Sequence, residues 1–359
     1  MFGKKNKPFF IAEISSNHNG KIENAINLIK QAKLYGADAV KLQTYKPSTM
    51  TIKSKKKFFK IKKGLWKGYS LWSLYKKAHT PYEWHGKLFK LANKIGIKIF
   101  STPFDESAVD LLEKLNCPFY KIASFEMTDI PLIKKVAQTK KPMIISTGMA
   151  NLEEIEYSYN KAKENGAKKI VLLYCVSNYP SKINDFNLNN IKILKKKFNC
   201  EVGFSDHSID NKIAISAVSA GATVVEKHIG LKNVKALDSD FSISGKNISD
   251  FKNDINNLQK ISKQDLLYKK LLGKVKFFRN KSEDKSKIFR RSIFIVKNIK
   301  KGGIINEQNT RIIRPGFGIS PIYYEDIIGK KTKFKLEKGE PLTKSLIRKI
   351  GVKTYEKKH

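Results

Sequence analysis

The sequence predicts a closed (β/α)8 barrel, or TIM barrel, followed by a small β-rich module, and three observations support this prediction. Eight short apolar segments alternate with helical patterns from residue 9 to about residue 263. Glycines such as Gly36, Gly96 and Gly221 stand where a helical pattern stops before a strand. No Gly-x-Gly-x-x-Gly motif opens the first helical pattern, which argues against an open dinucleotide-binding sheet. Eight apolar strands that alternate with helices favour an all-parallel, closed sheet.

The individual elements are predicted from local composition and spacing. Runs rich in β-branched and aromatic residues predict strands over Phe9–Ile14, Ala39–Thr44, Ile97–Ser101, Phe119–Ala123, Pro142–Ser146, Lys169–Cys175, Glu201–Phe204 and Thr223–Glu226. Apolar residues at helical spacing predict helices over Ile22–Leu34, Trp84–Ile95, Ser107–Leu115, Asp129–Ala137, Leu152–Asn165 and Ile209–Ala220. About fifty residues separate Thr44 from Ile97. Such an insertion can form a wall of a site or a separate hydrophobic cluster, and both alternatives remain open.

Three regions follow from the change of pattern along the chain. Residues 1–263 form the predicted catalytic barrel, and the polar, charged residues 264–287 are predicted to be a linker. Residues 288–350 form the β-rich module, which begins with a strand-like run at Ser292–Val296. A weak internal echo relates residues 298–302 to residues 335–339 within this module.

Composition limits the partners that we expect. The formal net charge is +39, from 71 basic and 32 acidic residues. The lysines are spread along helices among Ile and Asn, which favours a compositional bias over a nucleic-acid surface. A basic nucleic-acid-binding protein is therefore only a remote alternative, and we expect no nucleic-acid partner.

Location is predicted from the apolar runs, the first residues and the cysteines. No stretch approaches eighteen uninterrupted apolar residues, so no membrane partner is expected. The first eight residues lack the features of a signal peptide. Cys117, Cys175 and Cys200 are too few and too scattered for a disulfide framework. We therefore expect a cytoplasmic protein.

Two of the six histidines stand at equivalent ends of consecutive strands. Ser205-Asp206-His207 follows the seventh strand, and Glu226-Lys227-His228 ends the eighth. In a parallel barrel these imidazoles lie side by side in the mouth, with a carboxylate beside each. Two nitrogen ligands with open positions suit a divalent metal that must also bind substrate and water. The alternative is a pair of structural histidines held by hydrogen bonds.

Polar side chains also stand at the carboxyl ends of the other strands, where barrel active sites lie. They are Glu13, Lys41, Gln43, Thr102, Lys121, Ser124, Ser146, Ser177 and Tyr179. Two lysines with several hydroxyls can hold a phosphate and a carboxylate together. Glu13 and Glu226 are candidates for proton transfer.

Two reactions on this fold could use such a set of residues. A metal beside a phosphate site fits condensation of phosphoenolpyruvate with a sugar aldehyde, since the metal can polarise the carbonyl while the lysines hold the anion. A class I aldolase with Lys41 or Lys121 as its Schiff-base amine is the competing possibility. It leaves the paired histidines without a task.

The same residues give the chain a resemblance to the sialic-acid (nonulosonate) synthase family, over nearly its whole length. The motifs that carry it are Ile11-Ala12-Glu13-Ile14, Asn17-His18-Asn19-Gly20, Val40-Lys41-Leu42-Gln43-Thr44, Ser101-Thr102-Pro103-Phe104-Asp105, Tyr120-Lys121-Ile122-Ala123-Ser124, Ile145-Ser146-Thr147-Gly148-Met149, Ser205-Asp206-His207 and Glu226-Lys227-His228. The C-terminal module is similar to the antifreeze-like (SAF) domain of these enzymes.

The resemblance is strongest to the pseudaminic acid branch of that family. It is carried by Gly64-Leu65-Trp66-Lys67-Gly68, by Leu74-Tyr75 with Ala78-His79-Thr80-Pro81, and by Ser124-Phe125-Glu126-Met127-Thr128-Asp129. The reaction thus implied joins phosphoenolpyruvate, 2,4-diacetamido-2,4,6-trideoxy-L-altrose and water to give pseudaminic acid and phosphate. The alternative is an N-acetylneuraminate or legionaminic acid synthase, which uses a manno-configured sugar.

The resemblance also implies roles for individual residues. His207 and His228 would bind Mn2+, with Mg2+ or Co2+ possible, and Glu13 and Glu226 would handle protons. Phosphoenolpyruvate would contact Lys41, Thr102, Lys121, Ser124, Ser146, Ser177 and Ser205. Gln43, Tyr179 and Asp238 would face the sugar. A domain-swapped homodimer is implied, in which Arg314 of one chain contacts the N-acyl group of a sugar in the barrel of the other.

Overall fold

A computed structural model describes residue 2, residues 7–257 and residues 264–352, and it confirms the predicted barrel. The strands are β1 (Phe9–Glu13), β2 (Ala39–Thr44), β3 (Lys98–Pro103), β4 (Tyr120–Ile122), β5 (Met143–Ser146), β6 (Ile170–Cys175), β7 (Glu201–Asp206) and β8 (Val224–Gly230). Each pairs in parallel with the next, and β1 also pairs with β8, which closes the sheet. A two-residue strand, β9 (Ile243–Ser244), lies outside the ring and pairs in parallel with the end of β8.

Helices follow the strands, and most of them pack around the outside of the closed sheet. They are α1 (Ile22–Leu34), α2 (Pro47–Met50), α3 (Leu71–Ala78), α4 (Tyr82–Ile95), α5 (Glu106–Lys114), α6 (Ile130–Gln138), α7 (Leu152–Glu164), α8 (Asn189–Phe198), α9 (Asn211–Ser219) and α10 (Asn247–Asn256). In α1 the buried residues are Ala25, Leu28, Ile29 and Ala32, a spacing that places one apolar stripe against the sheet. The periodicity that predicts the helix therefore also sets its buried face.

The long insertion between β2 and β3 forms both a hydrophobic cluster and a wall of the barrel mouth. Its helices α2 and α3 and a 3-10 helix at Lys57–Phe59 bury Phe59, Leu71 and Leu74. This cluster also includes Phe294 and Ile313 of the C-terminal module. The insertion thus joins the module to the barrel, and both of its predicted roles are found.

The C-terminal module is a small unit with its own apolar core. Strands β10 (Ser292–Ile295) and β11 (Thr310–Ile313) pair antiparallel. Ile299 forms an antiparallel bridge with Leu336, so the two echoed segments of the sequence contact each other. The module also contains α12 (Tyr324–Ile327) and α13 (Lys344–Lys349).

The segment predicted as a linker contains regular structure. The predicted barrel boundary at residue 263 lies outside the described residues, and the next described residues lead into α11 (Leu266–Leu272). Leu271 of this helix is buried in the barrel core. A 3-10 helix at Lys281–Phe289 then leads into β10. We name this second helix the connecting helix.

No helix within the described residues is long and apolar enough to cross a membrane. All three cysteines are free thiols, and Cys117 and Cys175 are buried.

Gly203 in β7 shows how tightly the barrel interior is packed. A methyl group on its Cα would lie 2.4 Å from the carbonyl oxygen of Val224 and 2.6 Å from Cδ2 of Leu173. Both neighbours belong to adjoining strands, so neither can move without disturbing the sheet. Gly86 of α4, in contrast, has open space around its Cα.

We therefore expect opposite effects on stability from two glycine substitutions. Gly203→Ala should lower the free energy of unfolding by about 1–3 kcal/mol because of overpacking. Gly86→Ala should raise it by roughly 0.5–1 kcal/mol because alanine favours a helix interior. Chemical denaturation of both variants measures the two changes. An equal loss of stability in both would contradict the described packing.

Candidate active site

The carboxyl ends of the eight strands surround a cleft at the barrel mouth. The cleft encloses about 910 Å³, including the solvent at its opening. Side chains from the strand ends form its floor, while Trp66 and Tyr75 of the insertion and Phe289 and Arg314 from the C-terminal part of the chain form its walls.

Four charged side chains form a buried cluster in the floor of the cleft. Lys41 Nζ lies 2.7 Å from Glu13 Oε2 and 3.5 Å from Glu226 Oε2, and Lys121 Nζ lies 3.6 Å from Glu226 Oε1. All four are at most 4% exposed. Because two positive charges face two negative charges, each buried ion has an opposite partner. We name this group the charge cluster.

The surroundings of the two carboxyl groups shift their pKa values in opposite directions. Burial raises the pKa of Glu13, even though Lys41 opposes the shift. Burial acts in the same sense on Glu226, but Lys121, Lys41 and His228 outweigh it and lower its pKa to about 2. Glu226 is therefore the more readily ionised carboxyl group of the pair, and Glu13 is the one that holds a proton more readily.

The two lysines differ in a similar way. Burial tends to lower the pKa of Lys41, but the Glu13 and Glu226 carboxylates raise it overall. Burial dominates for Lys121, whose pKa is lowered. Lys41 also donates a hydrogen bond of 3.1 Å to Thr102 Oγ1, which fixes the position of its ammonium group.

Hydroxyl groups that have no hydrogen-bond partner lie beside the lysines. Ser146 Oγ and Ser177 Oγ are buried and unpartnered, whereas Ser124 Oγ accepts a 3.2 Å hydrogen bond from the Gly148 N–H. A methyl group on Gly148 would lie 2.2 Å from Ser177 Oγ, so only glycine allows these groups to converge. Unpartnered buried donors beside lysines form a site prepared for an anion.

The paired histidines adjoin each other as predicted. Ser205 is level with Glu226 and Asp206 with Lys227 in the β7–β8 register, and the rings of His207 and His228 lie 5.7 Å apart between their centres. Asp206, expected beside His207, instead forms a fully buried ion pair of 2.7 Å with Lys227. Of the two carboxylates expected at the histidines, Glu226 alone lines the cleft.

The imidazoles have the lone pairs that a metal requires. His207 Nδ1 lies 2.8 Å from the Val176 carbonyl oxygen, which can only accept, so Nδ1 carries the hydrogen and Nε2 keeps its lone pair. His228 Nδ1 is buried without a partner. Burial lowers the pKa of His207 to about 4 and that of His228 well below its usual value, so both rings are neutral near pH 7.

This donor set fits a divalent ion that keeps positions open. Within residues 7–257 and 264–352, no cluster of three or more His, Cys, Asp or Glu side chains is arranged to hold a metal. The two neutral imidazoles could supply two nitrogen ligands, and substrate or water oxygens could complete the coordination.

A second set of polar groups lines the side of the cleft near β1 and β2. Asp238 accepts hydrogen bonds from Ser15 Oγ at 2.5 Å and Ser16 Oγ at 2.8 Å. Gln43 Nε2 donates to Ser15 Oγ at 2.9 Å and to Glu13 Oε1 at 3.1 Å. These hydroxyl, amide and carboxylate groups suit a polyhydroxylated ligand.

The C-terminal module brings Arg314 into the cleft of its own chain. The guanidinium donates to Glu126 Oε1 at 2.7 Å and to the Tyr75 hydroxyl at 3.2 Å. It also lies over the Phe125 ring, 4.8 Å from its centre. Arg291 binds the same Glu126 oxygen at 3.1 Å. One buried carboxylate thus holds two arginines where the module meets the barrel.

Nearly all of the predicted site residues converge on the cleft. Glu226, His207, His228, Lys41, Gln43, Lys121, Ser124, Ser146, Tyr179, Ser205, Asp238 and Arg314 line it. Glu13, Thr102 and Ser177 lie directly behind this lining, where they contact Lys41 or Gly148.

Other residues of the site were not among the predicted ones. Ser15 and Ser16 stand beside the predicted Glu13 and could have been found as further strand-end hydroxyls. Glu126 and Arg291 are buried partners 165 residues apart. No local pattern joins them, because their contact depends on how the module docks.

Comparison with known proteins agrees with this geometry. The chain matches the NeuB family over residues 28–265 and the SAF domain over residues 290–348. It is 41% identical, over 345 residues, to the pseudaminic acid synthase of Campylobacter jejuni strain 81-176, covering 96% of this chain and 98% of that protein.

Two further comparisons cover the same span. An N,N'-diacetyllegionaminic acid synthase of Campylobacter jejuni is 38% identical over 329 residues, covering 90% of this chain and 95% of that protein. The crystal structure of the Bacillus subtilis spore coat polysaccharide biosynthesis protein SpsE superimposes with a TM-score of 0.81 at 29% identity, covering 98% of this chain and 97% of that one.

Proposed function

Because the chain belongs to the NeuB family, we propose that it condenses phosphoenolpyruvate with 2,4-diacetamido-2,4,6-trideoxy-L-altrose and water to give pseudaminic acid and phosphate. The observation that carries the proposal is the 41% identity to a pseudaminic acid synthase across both the barrel and the module. The Ser124-Phe125-Glu126 motif favours the same branch. Phe125 and Glu126 of this motif both contact Arg314.

Phosphoenolpyruvate binds, in this proposal, to the charge cluster and the hydroxyl groups beside it. Lys121 and the unpartnered hydroxyls of Ser146 and Ser177 hold the phosphate, with Ser124 and Ser205 nearby. Lys41, fixed by Thr102, holds the carboxylate. When phosphoenolpyruvate binds, its phosphate and carboxylate groups take the place of glutamate side chains as partners of the two lysines. The positive charges of the lysines therefore remain paired with negative charges.

The sugar occupies the other half of the cleft. Gln43, Tyr179 and Asp238 face its hydroxyl groups, and Arg314 contacts an N-acyl oxygen. The rings of Tyr75, Phe104 and Phe125 surround the Arg314 guanidinium and give that corner a large apolar surface. Such a corner suits an acetamido group, which has one apolar methyl group and one hydrogen-bond acceptor.

The reaction then requires a proton to be removed and supplied. Carbon three of the enol attacks the sugar aldehyde, water adds to carbon two, and phosphate leaves with cleavage of the bond between carbon two and oxygen. Glu226, ionised and lining the cleft, accepts the proton of the attacking water. Glu13 supplies, through Lys41 Nζ 2.7 Å away, the proton that the aldehyde oxygen takes up when its carbon is attacked.

His207 and His228 hold a divalent cofactor in this proposal, with Mn2+ first and Mg2+ or Co2+ as alternatives. When bound, the ion supplies polarisation of the aldehyde carbonyl. Tyr179 lies beside this histidine pair, since the centre of its ring is 4.4 Å from that of His207. We propose that the protein carries out this reaction in the cytoplasm.

We also propose a homodimer in which modules are exchanged between chains. The contacts that the module makes with the barrel of its own chain would, after exchange, form with the barrel of the partner chain. These include the Arg291 and Arg314 bonds to Glu126. In a twofold dimer each chain would complete the cleft of the other.

The choice of sugar tests the proposed function. Phosphate release from phosphoenolpyruvate should have a kcat/KM at least about a hundredfold higher with the L-altrose-configured sugar than with its manno-configured isomer or N-acetylmannosamine, since misplaced polar groups leave buried partners unpaired. A higher kcat/KM with a manno-configured sugar would instead assign a legionaminic or neuraminic product. Borohydride with substrates should trap no lysine adduct, whereas a class I aldolase would give one.

Removal of the metal tests the histidine pair. Chelation should abolish phosphate release, and Mn2+ should restore it. His207→Ala and His228→Ala should each weaken Mn2+ binding by at least about a hundredfold, measured as free Mn2+ by electron paramagnetic resonance. His79→Ala is the matched control, since His79 is half-buried, does not line the cleft and bonds a backbone carbonyl. Full activity after chelation would contradict the metal assignment.

Mixed dimers test the exchange of modules. His207→Ala and Arg314→Ala chains, each inactive alone, are coexpressed. If modules are exchanged, random pairing creates one intact cleft in each mixed dimer, so about a quarter of the wild-type activity returns. If each module serves its own barrel, no intact cleft forms and the mixture stays inactive.

A further inference from the structure

The connecting helix, Lys281–Phe289, contributes one buried carboxylate to the barrel mouth. Glu283 is only 2% exposed although it lies in a stretch of mostly charged and polar residues. Its Oε1 accepts hydrogen bonds from two backbone N–H groups, that of Met149 at 3.0 Å and that of Ser177 at 2.8 Å. These two donors belong to different loops, one after β5 and the other after β6.

The two loops joined by Glu283 lie next to the unpartnered hydroxyl groups of Ser146 and Ser177. Ser146 is the last residue of β5 and Gly148 follows it in the loop, while Ser177 lies in the loop after β6. Ser177 Oγ lies close to the Gly148 Cα, as shown by the 2.2 Å that would separate it from a methyl group placed on that Cα. The spacing of the two loops therefore decides whether these hydroxyls can act on one phosphate.

We propose that Glu283 is a positioning residue that clamps the loops after β5 and β6 at the separation needed to bind the phosphate of phosphoenolpyruvate. This assignment rests on the proposed function. Glu283 does not line the cleft, so it acts through the loops and not on the substrate.

The strength of these hydrogen bonds supports the assignment. A carboxylate that accepts from two backbone N–H groups forms charge-assisted hydrogen bonds, which are stronger than neutral ones. Burial raises the pKa of Glu283, and its two N–H donors act in the opposite direction. Without the carboxylate both N–H groups would be buried without an acceptor, so the loops would have to move to find new partners.

The connecting helix is also attached to the sugar side of the cleft. The Gly316 N–H donates to the Ile288 carbonyl oxygen at 2.9 Å, two residues beyond Arg314. Arg290, just after the helix, forms a two-bond ion pair with Glu154 at 2.7 Å and 3.0 Å. The helix therefore links the phosphate loops to the turn that carries Arg314, and docking of the module helps to set both halves of the cleft.

Three variants separate positioning from general stability. Glu283→Ala removes the acceptor, while Glu283→Gln keeps one oxygen that can accept from both N–H groups. Glu154→Gln is the control, because it weakens the Arg290 contact of the same segment but keeps an oxygen that can accept from the Asn151 N–H. It also leaves the Met149 and Ser177 N–H groups with their Glu283 acceptor. Phosphoenolpyruvate affinity is measured by calorimetry on metal-loaded protein without sugar, and the KM of each substrate is measured in the full reaction.

We expect Glu283→Ala to weaken phosphoenolpyruvate binding and raise its KM by about tenfold or more, the effect of losing one to two hydrogen bonds. The KM of the sugar should change much less. Glu283→Gln should stay within about threefold of wild type, since its oxygen replaces the acceptor. Glu154→Gln should lower thermal stability but leave the ratio of the two KM values unchanged.

Two results would overturn the assignment in different ways. If Glu283→Ala binds phosphoenolpyruvate as wild type does, or shifts both KM values as the Glu154→Gln control does, the clamp is wrong while the proposed function stands. If the metal-loaded wild-type protein fails to bind phosphoenolpyruvate at all, the proposed function and the clamp both fail.

Discussion

The charge cluster of Glu13, Lys41, Lys121 and Glu226 is the interaction on which the rest of the site depends. Four ionisable groups are taken out of water at the mouth of one barrel, and each is stable there because it has an opposite partner. Loss of one member would leave a buried charge unpaired, at a cost of about 3–5 kcal/mol. The pairing of the lysines with the two glutamates also preorganises the site, because it fixes both ammonium groups before an anion binds.

The C-terminal module supplies part of the cleft that the barrel alone does not form. Arg314 supplies a fixed positive charge above the sugar side of the cleft, and Glu126, in the loop after β4, accepts hydrogen bonds from both Arg314 and Arg291. The guanidinium of Arg291 also donates to the carbonyl oxygens of Thr49 and Ile312, so one side chain joins the insertion, the barrel and the module. The connecting helix adds a second junction through Glu283. The function of the cleft therefore depends on docking of the module as well as on the barrel.

The sequence predicts the barrel well and the junctions poorly, for physical reasons. Strand and helix patterns are local, and the end of β2 at Thr44 and both ends of α1 are found where they are predicted. Parallel strands bring their carboxyl ends together, so Lys41, Lys121 and the paired histidines could be placed in one mouth without coordinates.

The residues that escape prediction depend on contacts between distant parts of the chain. Glu283 stands in a polar run that resembles a linker, yet it binds N–H groups 106 and 134 residues away. Asp206 stands beside His207 in the sequence, but it faces Lys227 instead of the cleft. Neither arrangement leaves a local pattern.

The most direct test of the account follows the oxygen that bridges carbon two and phosphorus in phosphoenolpyruvate. In this account Lys121 of the charge cluster holds the phosphate while water adds to carbon two beside Glu226. Phosphoenolpyruvate labelled with oxygen-18 at the bridging position should then release phosphate that carries the label, which mass spectrometry detects. Unlabelled phosphate, with oxygen-18 kept in the sugar acid, would show attack at phosphorus and contradict the account.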